Sequence, residues 1–221
     1  VVSSGDIVRG DLPARLLKSK IRMFVEHRPY IAKSPEDYKK RIKIENLVKK
    51  GQISVIDLSG MSVYDQQIIA AIIARKILQK RILRKIPPTF IVLEEAHRFT
   101  PAGTIKSLSK ETFKHIAQEG RKFLVGLCII SQRPSRVNDD ILSQCNTQII
   151  LRLTNPDDQN YVRKISEYIS AEDLEEIKML APGEAMIFGP SIILPSVVIV
   201  RPRVTVHGGI SPSIFDELRE Y

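Results

Sequence analysis

From residue 51 onward, short β-branched or apolar runs alternate with stretches of helical period, and this alternation limits the fold more than any other feature. "ISVIDLS" precedes the long helical pattern "YDQQIIAAIIARKILQKRILRK", and "TFIVLEE" follows it. A helix around 106–120, the strand "FLVGLCIIS", a short helix near 136–144 and the strand "TQIILRL" come next. Runs apolar throughout their length read as strands buried on both faces, and strand, helix, strand implies a right-handed parallel crossover. The expected class is α/β, with a mainly parallel sheet flanked by helices.

The remaining segments carry local punctuation. In "NPDDQNYVRKIS", Asn155, Pro156 and Asp158 open a helix, and in "SAEDLEEIKML", Ser170 and Asp173 fit a capping box. "EAMIFG" and "SVVIVRP" are the last strands, and "SPSIFDELREY" is a short C-terminal helix. Ahead of residue 51, "LPARLLKSKIRMFVEH" reads as a basic amphipathic helix. "SPEDYKKRIKIENLVKKG" reads as a second one, capped by Ser34, with Pro35 in its first turn and Gly51 past its end. Three parts are expected: a basic helical segment over 1–50, the α/β core over 51–206, and a tail over 207–221.

Charge divides along the same line. Residues 1–86 hold 19 Lys and Arg against 8 Asp and Glu, whereas residues 87–221 hold 15 against 17. A one-sided basic excess suits a polyanionic partner, because neutralising phosphates releases counterions; solvated lysine-rich helices that bind nothing have the same composition. Aromatic residues make up 6% of the chain, too few for a base-stacking platform. No apolar stretch is long enough to span a bilayer and no secretory signal pattern opens the chain, so a cytoplasmic protein without membrane contact is expected. Cys128 and Cys145 have neither metal-site nor disulfide-framework spacing and read as core thiols.

The chemistry concentrates in "FIVLEEAHRF", residues 90–99, where a buried strand runs into adjacent carboxylates. Ligands of open parallel sheets collect at the carboxyl ends of the strands, and alternation turns Glu94 and Glu95 in different directions. One can hold a metal ion, directly or through water, while the other orients a nucleophilic water, as nucleotide hydrolysis requires. Two hydrated acids at the exit of a strand remain the plain alternative.

Together with "EGRKFLVGLCIISQRPSRV", about 25 residues further on, this strand resembles the HerA/FtsK group of ring-forming DNA-pumping ATPases, and within it the HerA helicases. "FIVLEE" is similar to a Walker B strand, and "ISVIDLSG" and "APGEAMIFG" also fit, so the likeness runs from about Gly51 to the C-terminus. The resemblance implies a RecA-like P-loop NTPase core that hydrolyses ATP with Mg2+. By the same resemblance Glu95 is the glutamate that polarises water, and Glu94, where the group has aspartate, is a ligand of Mg2+ through water. Arg121 is an arginine finger reaching a neighbouring subunit's site, and Gln132 is a polar sensor between phosphate and the rest of the ring, the plain alternative being an amide that ties down the turn before Pro134. His97 either couples hydrolysis to motion or hydrogen-bonds within its loop; Asp57 is structural; Arg133 and Arg136 meet DNA or a neighbour.

No Gly-x-x-x-x-Gly-Lys-Ser/Thr occurs in these 221 residues, so the phosphate-cradling loop is expected upstream, in a longer parent protein. The resemblance implies the C-terminal part of a double-stranded DNA translocase and helicase of DNA end repair, inactive as an isolated fragment. It further implies a homo-hexamer working with a partner nuclease such as NurA. Three other classes fit some of the residues: a two-lobed DEAH-type helicase, a metal-dependent nuclease built on Glu94 and Glu95, and a non-catalytic nucleic-acid-binding or assembly module on an ATPase-like core.

Overall fold

The computed structural model describes residues 17–19, 21–22, 32, 34–36, 42–104, 107–166 and 168–205. The chain falls into two compact units, Val1–Ser54 and Val55–Tyr221, each described here by itself.

In the first unit, Leu17–Ser19, Ile21, Arg22, Pro35 and Glu36 are helical, and the rest of both expected N-terminal helices up to residue 41 lies outside the described residues. The expected single helix from Ser34 to Gly51 is not continuous. Lys43 takes an extended conformation, φ −81° and ψ 140°, and the helix that follows, α1, covers only Ile44–Leu47. β-branched Ile42 and Ile44 flank this break and weaken the helical preference there. Gly51 turns the chain at φ 73°. Beyond it Ser54 Oγ donates to the Leu47 carbonyl at 2.7 Å and closes the loop.

The second unit begins with the run expected as the first strand, and here the structure differs. Residues 53–58 form no strand among the described residues, and Ile53 and Val55 are 92% and 88% exposed. β-branching favours extended backbone, but a strand also needs a partner edge, and among the described residues this run pairs with none. The expected crossover from it into β1 is therefore not formed.

Helix α2, Val63–Ile82, starts at Ser62, whose Oγ accepts from Asp65 N–H at 3.2 Å and donates to the Asp65 carboxylate at 2.8 Å. A cap of this kind contributes about 1 kcal/mol. Its buried stripe is Ala71, Ala74, Ile77 and Leu78. Strands β1, Thr89–Leu93, and β2, Val125–Ile129, pair in parallel, Thr89 opposite Val125 and Leu93 opposite Ile129. Between them runs α3, Leu108–Glu119, capped by Ser107 and packed on β2.

Leu93, Val125, Phe113 and Ile116 are buried. The opposite face of β1 is not: Phe90 and Val92 are exposed, although the unbroken apolar run reads as a strand buried on both sides. Among the described residues the helices cover one face only.

A short helix α4, Asp139–Leu142, leads to β3, Gln148–Ile150. Helices α5, Pro156–Ile165, and α6, Ala171–Met179, precede β4, Glu184–Phe188, and β5, Ser196–Ile199. These three strands pair antiparallel in the order β3-β4-β5, so among the described residues parallel pairing is confined to β1 and β2. Val162, Leu174, Ile177, Leu180, Met186 and Phe188 form their core. Both expected caps are present: Asn155 Oδ1 accepts from Asp157 N–H at 2.8 Å, and Ser170 and Asp173 exchange bonds of 3.1 and 2.8 Å. The C-terminal helix expected after residue 210 lies outside the described residues.

The α3–β2 junction depends on a missing side chain. A Cβ on Gly120 would stand 2.7 Å from the Val125 carbonyl oxygen and 3.2 Å from Ile116 Cγ2, and a backbone oxygen has no room to retreat. Gly126 is equally crowded, but by the ring of exposed Phe90, which can swing away. Gly120→Ala is therefore expected to destabilise by about 1–3 kcal/mol, as overpacking does, and Gly126→Ala by less. Chemical denaturation of the two variants checks the order.

Candidate nucleotide-hydrolysis site

The carboxyl end of β1 is held by backbone bonds to the carboxyl end of β2. Ile130 N–H donates to the Leu93 carbonyl at 3.0 Å, and Ala96 N–H donates to the Ile130 carbonyl at 3.0 Å. Between these two bonds lie Glu94, exposed, and Glu95, half-buried. Glu95 takes the left-handed conformation, φ 50° and ψ 44°, and Ala96–Arg98 make one 3-10 turn after it. Left-handed backbone is sparse for a residue with a Cβ, and ordered surroundings must hold it.

The surroundings are well tied. Ala96 and Thr100 are 0% exposed. Thr100 Oγ1 donates to the Ala96 carbonyl at 2.9 Å, and Asn138 N–H donates to the Thr100 carbonyl at 2.8 Å. From α2, Gln67 Nε2 donates to the Arg98 carbonyl at 2.6 Å. The Glu94–Arg98 loop is thus fastened to α2 on one side and to the loop after β2 on the other.

That second loop carries Gln132, Arg133 and Arg136, all exposed. Buried Asp158 of α5 anchors it, accepting from Ser135 N–H at 3.1 Å and Ser135 Oγ at 2.6 Å. In the sequence Asp158 stands out only as a helix opener; its partner Ser135, 23 residues away, has no local signature. His97 Nδ1 lies 3.2 Å from Glu95 Oε2 and 3.4 Å from Ser131 Oγ. Ser131 also escaped the sequence reading, although it directly precedes Gln132.

Four of the residues singled out in the sequence, Glu94, Glu95, His97 and Gln132, therefore share one edge of the β1–β2 pair. Arg121 does not. It sits in the turn Gly120–Phe123 that enters β2, at the opposite end of the pair from Glu95, with the whole length of β1, about 13 Å at 3.3 Å per residue, between them. There it borders an open hollow of ≈ 440 Å³ with Phe90, Leu124 and Gly126, which contains none of the carboxylates. Asp57 caps its own turn: Ser59 N–H donates to Oδ1 at 2.8 Å, and this bond holds the carboxyl below its ordinary range. Burial pushes the Cys145 thiol up to about 11, so it stays an inert near-core thiol.

A parallel strand pair with helices packed on one face and two adjacent carboxylates beyond its carboxyl end belongs to an α/β, RecA-like fold. Solved structures share this fold: the genome packaging NTPase B204 from Sulfolobus turreted icosahedral virus 2, in complex with AMPPCP, matches with a TM-score of 0.55 at 16% identity, over 85% of this chain and 91% of that one.

Among curated relatives, the DNA double-strand break repair helicase HerA of Pyrococcus furiosus is 37% identical over 197 residues, 73% of this chain and 36% of that protein. The probable DNA double-strand break repair helicase HerA of Methanocaldococcus jannaschii is 33% identical over 221 residues, 85% of this chain and 44% of that protein. Over most of its own length the chain is thus similar to HerA-type helicases. It spans between a third and a half of the length of these relatives. No protein-family model matches it. Among the described residues, no helix is long and apolar enough to cross a membrane.

Proposed function

We propose that this chain forms the part of an ATP-dependent double-stranded DNA translocase and helicase that activates water, senses the γ-phosphate and supplies a finger to the next subunit. One observation carries the reading: Glu95, fixed in a left-handed loop, shares the β1–β2 carboxyl edge with Gln132. Relatives named as double-strand break repair helicases support DNA as the substrate and end repair as the setting.

Glu95 polarises the attacking water and Gln132 contacts the γ-phosphate. Glu94 holds a water of the magnesium ion. Among the described residues no group of three or more His, Cys, Asp or Glu side chains could hold a metal. One exposed carboxylate suffices for an ion whose other ligands are waters and phosphate oxygens, so the residues fit magnesium and do not fit a fully protein-bound metal. Glu94 would hold such an ion through water, and the ion would supply neutralisation of charge developing on the phosphates.

Because Arg121 lies at the far edge of its own sheet, it serves the site of a neighbouring protomer in a homo-hexameric ring. The phosphate-cradling loop comes from sequence outside these 221 residues, and the isolated chain turns over little ATP. A nuclease such as NurA is the partner that would use the unwound or transported ends.

The full-length protein is expected to hydrolyse ATP faster when double-stranded DNA is added. Its DNA binding should weaken about 10³-fold or more between 50 and 200 mM salt, as for a protein making several phosphate contacts. ATP turnover indifferent to DNA, together with sequence-specific binding insensitive to salt, contradicts the proposal.

A further inference from the structure

Glu95 has a partner that neither the fold nor the family name explains. Its Oε2 lies 3.2 Å from His97 Nδ1. A carboxylate only accepts, so Nδ1 must carry the hydrogen for that contact to bond. The same Nδ1 lies 3.4 Å from Ser131 Oγ, which becomes the second acceptor on that N–H. Ser131 Oγ in turn accepts from Arg133 N–H at 3.1 Å, spanning Gln132.

One imidazole hydrogen is thus shared between the Glu95 carboxylate and the loop that holds Gln132. At 3.4 Å the Ser131 contact is at the long limit of a hydrogen bond, so a shift of a few tenths of an ångström makes or breaks it. The ring is one-quarter exposed and its loop is bonded on both sides, so His97 cannot follow such a shift freely.

We propose that His97 is the positioning residue for Glu95 and couples it to the Gln132 loop through Ser131. When that loop moves away from the imidazole, His97 Nδ1 gives its hydrogen to Glu95 alone and holds the carboxylate in place to orient water; when the loop moves toward the imidazole, Ser131 takes more of the shared hydrogen and Glu95 is released from that position. This rests on the hydrolysis reading above, and it adds a residue that acts through Glu95.

Steady-state ATP hydrolysis and ATP binding in the full-length protein test it. The side-chain nitrogen of Asn stands where Nδ1 stands, whereas that of Gln reaches the position of Nε2. His97→Ala is expected to lower kcat by about 100-fold through misplacement of Glu95, with KM within about twofold because ground-state binding is untouched. His97→Asn should recover at least about tenfold of that loss, and His97→Gln should not. Ser131→Ala should change kcat in the presence of His97 and add nothing to His97→Ala.

A His97→Ala enzyme within about threefold of wild-type kcat, or equal rescue by Asn and Gln, overturns the inference. If Glu95→Gln abolishes turnover while His97→Ala does not, only the coupling fails. If Glu95→Gln itself leaves turnover intact, the hydrolysis reading fails with it.

Discussion

Glu95→Gln in the full-length protein is expected to keep ATP binding and lose hydrolysis by about 10²- to 10⁴-fold, the usual worth of a positioned general base. The amide is the same size as the carboxylate, so the left-handed backbone at φ 50° and the bond from Ala96 N–H to the Ile130 carbonyl need not change. What changes is charge: an amide cannot take a proton from water at neutral pH. The residue also loses its carboxylate beside His97 Nδ1, 3.2 Å away, but keeps an oxygen able to accept from that nitrogen. Binding of a fluorescent ATP analogue and phosphate release, measured on the same preparation, separate the two effects. Turnover within an order of magnitude of wild type removes Glu95 from the chemistry.

Arg121→Ala should lower hydrolysis by about 10³-fold or more in the assembled protein, as removal of an arginine finger does. The side chain is exposed, and its residue lies in a turn whose fold is fixed by Gly120 rather than by the guanidinium. Stability should therefore stay near wild type while the rate falls. Arg121→Lys should not restore the rate, because a point charge on a flexible stem does not match the planar fork that spreads over a transferring phosphoryl group. A loss of rate accompanied by an equal loss of folded protein would mean that Arg121 is structural.

The elements that announce themselves locally were readable in the sequence. Asn155 and Ser170 name their helices because each satisfies N–H groups two or three residues away. The strand ending at Glu94 is visible because an apolar run meets charge. Its pairing with β2 follows from the intervening helix.

What was not readable depends on partners distant in sequence. The 53–58 run has the residues of a strand, but among the described residues it pairs with no other strand. The exposure of Phe90 and Val92 depends on which helices arrive, a property no strand carries in its own pattern. Glu94, Glu95 and Gln132 are proposed from the order of motifs, and the structure sets them at one end of the β1–β2 pair. The His97–Ser131 contact joins residues 34 apart, and Ser135–Asp158 joins residues 23 apart. Neither serine has a local reason to stand out. The left-handed backbone of Glu95 is likewise invisible, since nothing about a glutamate predicts it.

Complementation in mixed assemblies tests the central claim most directly. Full-length Glu95→Gln and Arg121→Ala proteins are each prepared alone and co-expressed, and ATP turnover is measured for all three samples. If each pocket takes its acid from one protomer and its guanidinium from the next, about a quarter of the sites in a randomly mixed ring regain both groups, and hydrolysis returns where both single variants are silent. Absence of any recovery in rings shown to contain both variants would contradict a shared pocket.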